Sequence, residues 1–132
     1  MKYLLDTDTC IYALRGRENV IARLLETRRV DVCVSVITEG ELRTGAAKSA
    51  QPIKTLHAVE SFLAPISILP FDSDDARVYA QIRSRLERSG RGVRPLDTLI
   101  AAQGVARKLT VVTNNQRELA RIPHLRLENW AR

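Results

Sequence analysis

The chain has 132 residues, of which 45% are hydrophobic and 27% charged, so it is long enough for one domain with a buried core and short for two. Only two cysteines occur, Cys10 and Cys33, which excludes a disulfide scaffold and a cysteine-rich zinc module and favours a reducing compartment. No apolar stretch approaches the roughly 20 residues of a membrane span, and Asp6 interrupts the opening apolar run too early for a signal peptide. We therefore expect a cytoplasmic domain that occupies residues 1–132 and contacts no membrane.

The charge is unevenly distributed along the chain. Residues 1–76 hold 9 basic and 11 acidic residues, whereas residues 77–132 hold 12 basic and 4 acidic residues. Of the 21 basic residues 17 are arginine, whose planar guanidinium binds phosphate with two parallel hydrogen bonds. A basic second half indicates an anionic partner such as nucleic acid, but solvated helix faces in an arginine-rich protein would give the same distribution.

The hydrophobic pattern predicts strands and helices in alternation. In chain order, the predicted elements are a strand over Lys2–Asp6, helices over Thr9–Leu14 and Asn19–Glu26, a strand over Val30–Ser35, helices over Thr38–Ala47 and Gln51–Leu63, a strand over Ile66–Leu69, helices over Ser73–Ser89 and Asp97–Lys108, and strands over Leu109–Thr113 and Arg126–Glu128. This alternation is typical of an α/β domain with a central, mostly parallel sheet of about five strands flanked by helices.

Two of the predicted helices carry further local signals. Thr38 would cap the helix after the second strand, with Glu41 at the capping-box position. In the long helix over Ser73–Ser89, one face is predicted to pack inward; its residues are Ala76, Tyr79, Ile82 and Leu86. A basic loop, Gly90–Pro95, follows that helix.

Three acidic residues fall where a parallel sheet carries its functional groups. Asp6 closes the first strand, Glu41 lies early in the helix after the second strand, and Asp97 opens the helix after the basic loop. Ligands of open parallel sheets bind at the carboxyl ends of the strands. We therefore expect these carboxylates at corresponding ends of three different β–α units.

Clustered carboxylates repel one another and raise each other's pKa unless a cation lies among them. Oxygen ligands with open positions for water suit Mg²⁺ or Mn²⁺, so the three acids together predict a site for such an ion. Taken singly, Asp97 could equally be a helix N-cap and Glu41 a capping-box acid. Asp6 is harder to explain in this way, because a carboxylate that closes a buried strand needs a partner.

Other chemistry finds little support. His57 and His124 are far apart and lack metal-ligand spacing, and no glycine-rich nucleotide loop occurs. Cys10 and Cys33 are predicted to be reduced packing residues.

Five segments, in order, carry a resemblance to one protein family. They are YLLDTDTCI from Tyr3, SVITEGELRTGA from Ser35, PLDTLIAA from Pro95, VVTNNQRELARIP from Val111, and LRLENW from Leu125. Together they resemble the PIN-domain ribonucleases, specifically the VapC toxins of VapBC toxin–antitoxin pairs. The resemblance runs nearly end to end.

This resemblance implies a single PIN domain and a divalent-metal-dependent endoribonuclease that cleaves structured RNA such as a tRNA anticodon loop. Its catalytic residues would be Asp6, Glu41, Asp97 and Asn115. Asp6 and Asp97 would hold Mg²⁺ or Mn²⁺, and Glu41 would complete the ion's shell or orient the attacking water. The resemblance also implies a toxin homodimer and a VapB-type antitoxin whose C-terminal segment occupies the groove.

Two positions depart from the family pattern. Asp8 stands where the family usually has asparagine, and Asn115, with Glu118 nearby, replaces the fourth family acid. Asp8 and Glu118 are therefore accessory candidates for the site. For the RNA itself, the basic loop offers Arg91 and Arg94, the latter three residues before Asp97.

Two other functions stay open from the sequence. The DTDT stretch from Asp6 also resembles the D-x-D-x-T start of haloacid-dehalogenase-type phosphatases, although their downstream lysine and acid pair are missing. The other is a PIN-like module that binds nucleic acid or protein without cleavage. Metal-dependent RNase activity distinguishes the nuclease from the binding module, and phosphate transfer to Asp6 would identify the phosphatase.

Overall fold

The computed structural model describes all residues from 1 to 132 and contains five strands and seven α-helices. The strands are β1 (Tyr3–Leu5), β2 (Val32–Ser35), β3 (Ser67–Leu69), β4 (Thr110–Val112) and β5 (Arg126–Glu128). The helices are α1 (Thr7–Leu14), α2 (Glu18–Glu26), α3 (Val36–Ala47), α4 (Pro52–Leu63), α5 (Ser73–Ser89), α6 (Pro95–Ala106) and α7 (Gln116–Leu119). No helix is both long enough and apolar enough to cross a membrane.

The five strands form one sheet in the order β3-β2-β1-β4-β5, and every pair is parallel. At the end of β1, Leu5 lies between Val34 of β2 and Val112 of β4. The chain moves outward from β1 to one side through β2 and to the other through β4. The carboxyl end of β1 is therefore the switch point of the strand order, where open parallel sheets form their ligand crevice.

Helices cover both faces of the sheet, which explains why the strands are apolar without alternation. Successive side chains of a strand point to opposite faces. Leu4 accordingly joins the core formed with α5 and α6, whereas Leu5 joins the core formed with α1 to α4. Cys33 lies in the first core and Cys10 in the second, both buried and free, as predicted.

The start of α3 differs from the prediction. Ser35, not Thr38, is the N-cap, and its side chain accepts a hydrogen bond from the Ile37 N–H at 3.0 Å. The helix therefore begins directly after β2, and the capping-box prediction for Glu41 is wrong. Because the cap lies three residues earlier than predicted, Thr38 and Glu41 are free to point towards β1.

The inward face of α5 also differs from the prediction, although its bounds agree. Ala76 is exposed, and Asp75 is buried in its place at 1% relative exposure. Asp75 accepts a hydrogen bond from the Arg107 guanidinium at 2.9 Å, and both residues bind the start of α5 to the end of α6. The paired guanidinium explains how a carboxylate tolerates this burial.

Helix α6 lies unusually close to the sheet. A Cβ atom added to Gly104 would come 2.5 Å from Cγ2 of Val111 in β4. No side chain fits at this crossing, so glycine sets the distance between α6 and β4.

Candidate functional site

Asp6 lies directly after β1, at the switch point of the sheet. It is the N-cap of α1, and its Oδ1 accepts a hydrogen bond from the Thr9 N–H at 2.9 Å. Only 5% of the residue is exposed. Burial raises the pKa of this carboxyl, which hydrogen bonds from Thr113 and Thr9 partly oppose and the nearby charge of Asp8 reinforces. The carboxylate is thus held firmly in a place that disfavours its charge.

Glu41 reaches the same end of the sheet from α3. The Thr7 hydroxyl donates a hydrogen bond to Oε1 of Glu41 at 2.6 Å, and it lies 3.1 Å from the buried Thr38 hydroxyl. This chain of contacts fixes one carboxylate oxygen of Glu41 while Oε2 has no protein partner of its own. The spacing of Thr38 and Glu41, three residues apart on α3, places both on the face that meets Thr7.

Asp97 reaches the site by a different route from the one predicted. It does not follow a strand: α5 and α6 form a helical hairpin between β3 and β4, and Asp97 lies in the first turn of α6, after Pro95. It is therefore not the N-cap, a position that Arg94 holds. Burial raises the pKa of Asp97, with Asp8 and Glu41 acting in the same direction and Arg94 opposing them.

Asp8, Glu41 and Asp97 line one cleft together with Thr7, Arg94 and the start of α6, and its volume is about 330 Å³. Arg94 donates a hydrogen bond from Nε to Oδ2 of Asp97 at 2.9 Å, and its Nη2 lies 3.6 Å from Oδ2 of Asp8. The cleft thus brings together Asp8, Glu41 and Asp97, of which only Glu41 and Asp97 belong to the predicted set of three acids. Asp6 does not line the cleft, and its buried carboxyl acts on Asp8 only through their charges.

The fourth predicted catalytic residue lies elsewhere. Asn115 does not line the cleft; its side-chain N–H donates to Oε2 of Glu118 at 2.5 Å, and its backbone N–H donates to the Thr113 hydroxyl. Glu118 is close enough to raise the pKa of Arg94 by its charge. The two residues therefore border the acids and connect to Asp6 through Thr113.

Two hydroxyl residues were given no role from the sequence. Thr7 orients Glu41, and Thr113 contacts Asp6. Both stand inside the motif segments quoted above, next to an acid or after a buried strand. The sequence signal for Thr7 is its position beside Asp6, and that for Thr113 is its position in the VTNN stretch. Neither signal identifies the partner, because Thr7 is 34 positions from Glu41 and Thr113 is 107 positions from Asp6.

The oxygen donors fit a hard divalent cation in their chemistry, and the raised pKa values of Asp6 and Asp97 fit the need for one. No three acidic, histidine or cysteine side chains converge on one point at metal-ligand distance in this arrangement. The Arg94 guanidinium lies between the carboxylates instead.

The exposed arginines of the second half differ in how they are paired. Arg77 and Arg83 on α5 each form an ion pair with an acid on the same helix, whereas Arg85 and Arg88 form none. Arg85 and Arg88 line a groove of about 370 Å³ together with His124, and no acid lines it. Arg91, in the loop before α6, also has no carboxylate partner.

Comparison with known proteins gives consistent matches over the whole chain. The PIN domain family model matches residues 3–125. The tRNA(fMet)-specific endonuclease VapC of Salmonella typhimurium is 40% identical over 130 residues, which cover 98% of both chains. Ribonuclease VapC2 of Haemophilus influenzae is 35% identical over 130 residues, again 98% of both.

Solved structures show the same likeness. The structure of DNA-bound VapBC from Salmonella typhimurium contains a chain that superposes with a TM-score of 0.94 at 40% identity, covering 98% of both chains. A chain of VapBC2 from Rickettsia felis, bound to a DNA fragment from its promoter, superposes with a TM-score of 0.91 at 33% identity, covering 98% of this chain and 99% of that one. These matches give no support to the haloacid-dehalogenase alternative.

Proposed function

Because the chain belongs to the PIN-domain family and, within it, to the VapC toxins of VapBC toxin–antitoxin systems, we propose that it is a divalent-metal-dependent endoribonuclease. The observation that carries this proposal is the cleft at the switch point of the sheet. Three segments far apart in sequence place Asp8, Glu41 and Asp97 around it, and the buried Asp6 lies at the end of the adjoining strand.

Asp6 and Asp97 would hold the ion, with Mg²⁺ or Mn²⁺ suited to their oxygen donors. When bound, the ion would lower the pKa of a water and stabilise negative charge on the phosphate oxygens. Glu41 would orient the attacking water, because Thr7 fixes Oε1 and leaves Oε2 without a protein partner. Asn115 contributes from the border of the site through Thr113 and does not bind the ion directly.

The substrate is structured RNA, and the name of the Salmonella relative makes tRNA the first candidate. A loop with exposed bases and a bent backbone can enter an open cleft of this size, whereas a regular duplex cannot. Flanking phosphates would be bound by arginines without an acid partner. Arg91 lies in the loop that leads to the cleft, and the groove lined by Arg85 and Arg88 offers a second contact. Arg94 would also bind phosphate when it is not paired with Asp97.

The protein partner is a VapB-type antitoxin, as the VapBC titles of the structural neighbours suggest. A groove between α1, α3 and α4 is the place for its C-terminal segment. The groove has a volume of about 600 Å³ and includes Glu41, so a segment lying in it would block the site. Ile53 of α4, 89% exposed, adds apolar surface near this groove. A toxin homodimer is expected in addition, and light scattering of the isolated chain measures it.

The test is incubation of the purified protein with total RNA in Mg²⁺, in Mn²⁺ and in EDTA, followed by sequencing of the new RNA ends. Discrete ends in tRNA that appear with metal and disappear in EDTA are expected. Asp97→Asn is the matched control, since it keeps the size of the side chain and removes one metal-ligating charge. Binding of RNA without any metal-dependent cleavage would favour the non-catalytic module instead.

A further inference from the structure

Arg94 forms an ion pair inside the candidate cleft. Both its Nε and its Nη2 approach the same oxygen, Oδ2 of Asp97, at 2.9 Å, and Nη2 also lies 3.6 Å from Oδ2 of Asp8. The Asp97 side chain is only 14% exposed, whereas Asp74, in the equally spaced pair with Arg77, is 82% exposed. The guanidinium therefore neutralises a half-buried carboxylate inside the cleft and is not an ordinary surface partner.

This arrangement conflicts with metal binding by Asp97. An ion and a guanidinium cannot both take Oδ2, and two cations a few ångströms apart repel each other. Asp97 can accept an ion only after Arg94 has left it. The nearest other acceptor is Asp8, whose Oδ2 is already close to Nη2. Asp8 is also the acid that stands where the resembled motif has asparagine, and asparagine offers no charge to retain an arginine.

Resting on the proposed metal site, we propose that Arg94 is a resident counter-ion of the carboxylate cluster, which a divalent ion displaces from Asp97 onto Asp8. Asp8 is then a positioning residue and not a metal ligand. It keeps the displaced guanidinium at the rim of the cleft, beside the place of the scissile phosphate. The pair makes the chain's own arginine available to RNA only once the ion has entered.

Calorimetric titration of the EDTA-treated and dialysed protein with Mn²⁺ alone tests this proposal without any RNA or activity. Arg94→Ala should bind Mn²⁺ about threefold to tenfold more tightly than the wild type, because the ion no longer has to break an ion pair to a half-buried acid. Arg91→Ala removes the same charge from the same loop but has no carboxylate partner, so it should change the affinity less than about twofold.

Asp8→Asn in the wild-type and Arg94→Ala backgrounds tests the positioning role. In the wild type it should weaken Mn²⁺ binding, since the displaced guanidinium loses its acceptor. In the Arg94→Ala background the weakening should be at least about threefold smaller, a coupling that a residue in independent contact with the ion would not show. Circular dichroism confirms that the variants, all at partly or fully exposed positions, remain folded.

The outcomes separate the two proposals. Equal or weaker Mn²⁺ binding by Arg94→Ala overturns the counter-ion role, even if the wild type binds the ion well. An equal loss from Asp8→Asn in both backgrounds makes Asp8 a direct ligand and overturns its positioning role. No Mn²⁺ binding by the wild type or any variant overturns the proposed metal function, and this inference with it; binding that appears only in Arg94→Ala supports it in its strongest form.

Discussion

Replacement of Gly104 by alanine should separate α6 from the sheet and so disturb the site from a distance. The added Cβ would come 2.5 Å from Cγ2 of Val111 and 3.2 Å from Cδ1 of Leu125. Carbon atoms in contact prefer about 3.5–4.0 Å, so the first contact needs a movement of about 1 Å. Val111 is fully buried in β4, so we expect α6 to move. Asp97 lies on this helix and moves with it.

The expected magnitude combines two opposing effects. Overpacking costs about 1–3 kcal/mol, and alanine in place of a helical glycine returns about 1 kcal/mol. The net loss of unfolding free energy should be about 0–2 kcal/mol. Gly40 is the matched control: it is helical too, and nothing lies within 4 Å of its added Cβ. Gly40→Ala should therefore gain about 0.5–1 kcal/mol.

Urea denaturation in EDTA measures both variants, and Mn²⁺ titration of Gly104→Ala reports the displacement of Asp97. Gly40→Ala should raise the midpoint, whereas Gly104→Ala should not. A Gly104→Ala protein that is stabilised as much as Gly40→Ala would refute the close packing of α6 on β4. Reduced stability with unchanged Mn²⁺ affinity would show that Asp97 does not follow the helix.

Five further substitutions test the site. Asp6→Asn and Asp97→Asn should each abolish cleavage in the RNA assay while leaving the fold intact. Burial raises the pKa of Asp6, so between the pKa of the unfolded chain and that of the folded chain only the folded chain keeps the proton. The melting temperature in EDTA should therefore fall as pH rises through this interval. Asp6→Asn should remove this fall and melt higher at neutral pH. Asp8→Asn should retain cleavage, and complete loss would contradict its placement outside the ion's ligands. Thr7→Val should lower kcat about tenfold with little change in KM, because Glu41 loses its hydrogen-bond donor; an unchanged kcat would remove Thr7 from the mechanism. Arg94→Ala, measured in an inactive background with metal present, should lower the log–log salt slope of RNA binding by roughly 0.7, and an unchanged slope would exclude a phosphate contact. In the otherwise active chain, the same substitution should leave the cleavage position unchanged.

Elements with complete local signals were predictable from the sequence. The bounds of α5 agree with the prediction, which rested on its hydrophobic face. The structure shows local signals at both ends, since Asp72 and Asp75 form a capping box at its start and Gly90, in the left-handed region, ends it. The second strand was predicted two residues too long, since a 3-10 turn over Arg29–Asp31 precedes it. Helix α7 has four residues and was not predicted. Its last residue, Leu119, is buried and holds the helix in place through tertiary packing.

The candidate site, like the fold, could be predicted from the sequence only in part. That Asp6 and Glu41 approach one edge of the sheet follows from the order of strands and helices, whereas the position of Asp97 does not, because a helical hairpin carries it. The contacts of these acids could not be predicted, because each contact joins residues that only the folded chain brings together. The buried Asp75 shows the same limit: a 3.6-residue period cannot reveal that Arg107, 32 positions away, compensates an acid on the inward face.

The central place of β1 has a consequence for the order in which a newly made chain becomes active. Asp6 emerges first from synthesis, yet its backbone N–H is bound by the Val112 carbonyl at 3.0 Å, and Thr113 also contacts its side chain. Strand β4 is in turn covered by β5, while Trp130 packs on Tyr3 with ring centroids 5.2 Å apart. Pairings this distant in sequence form late in folding. A nascent chain that ends before Thr110 should thus leave RNA intact, which translation of truncated templates can check. Nuclease activity should begin only after β4 and β5 have joined the sheet.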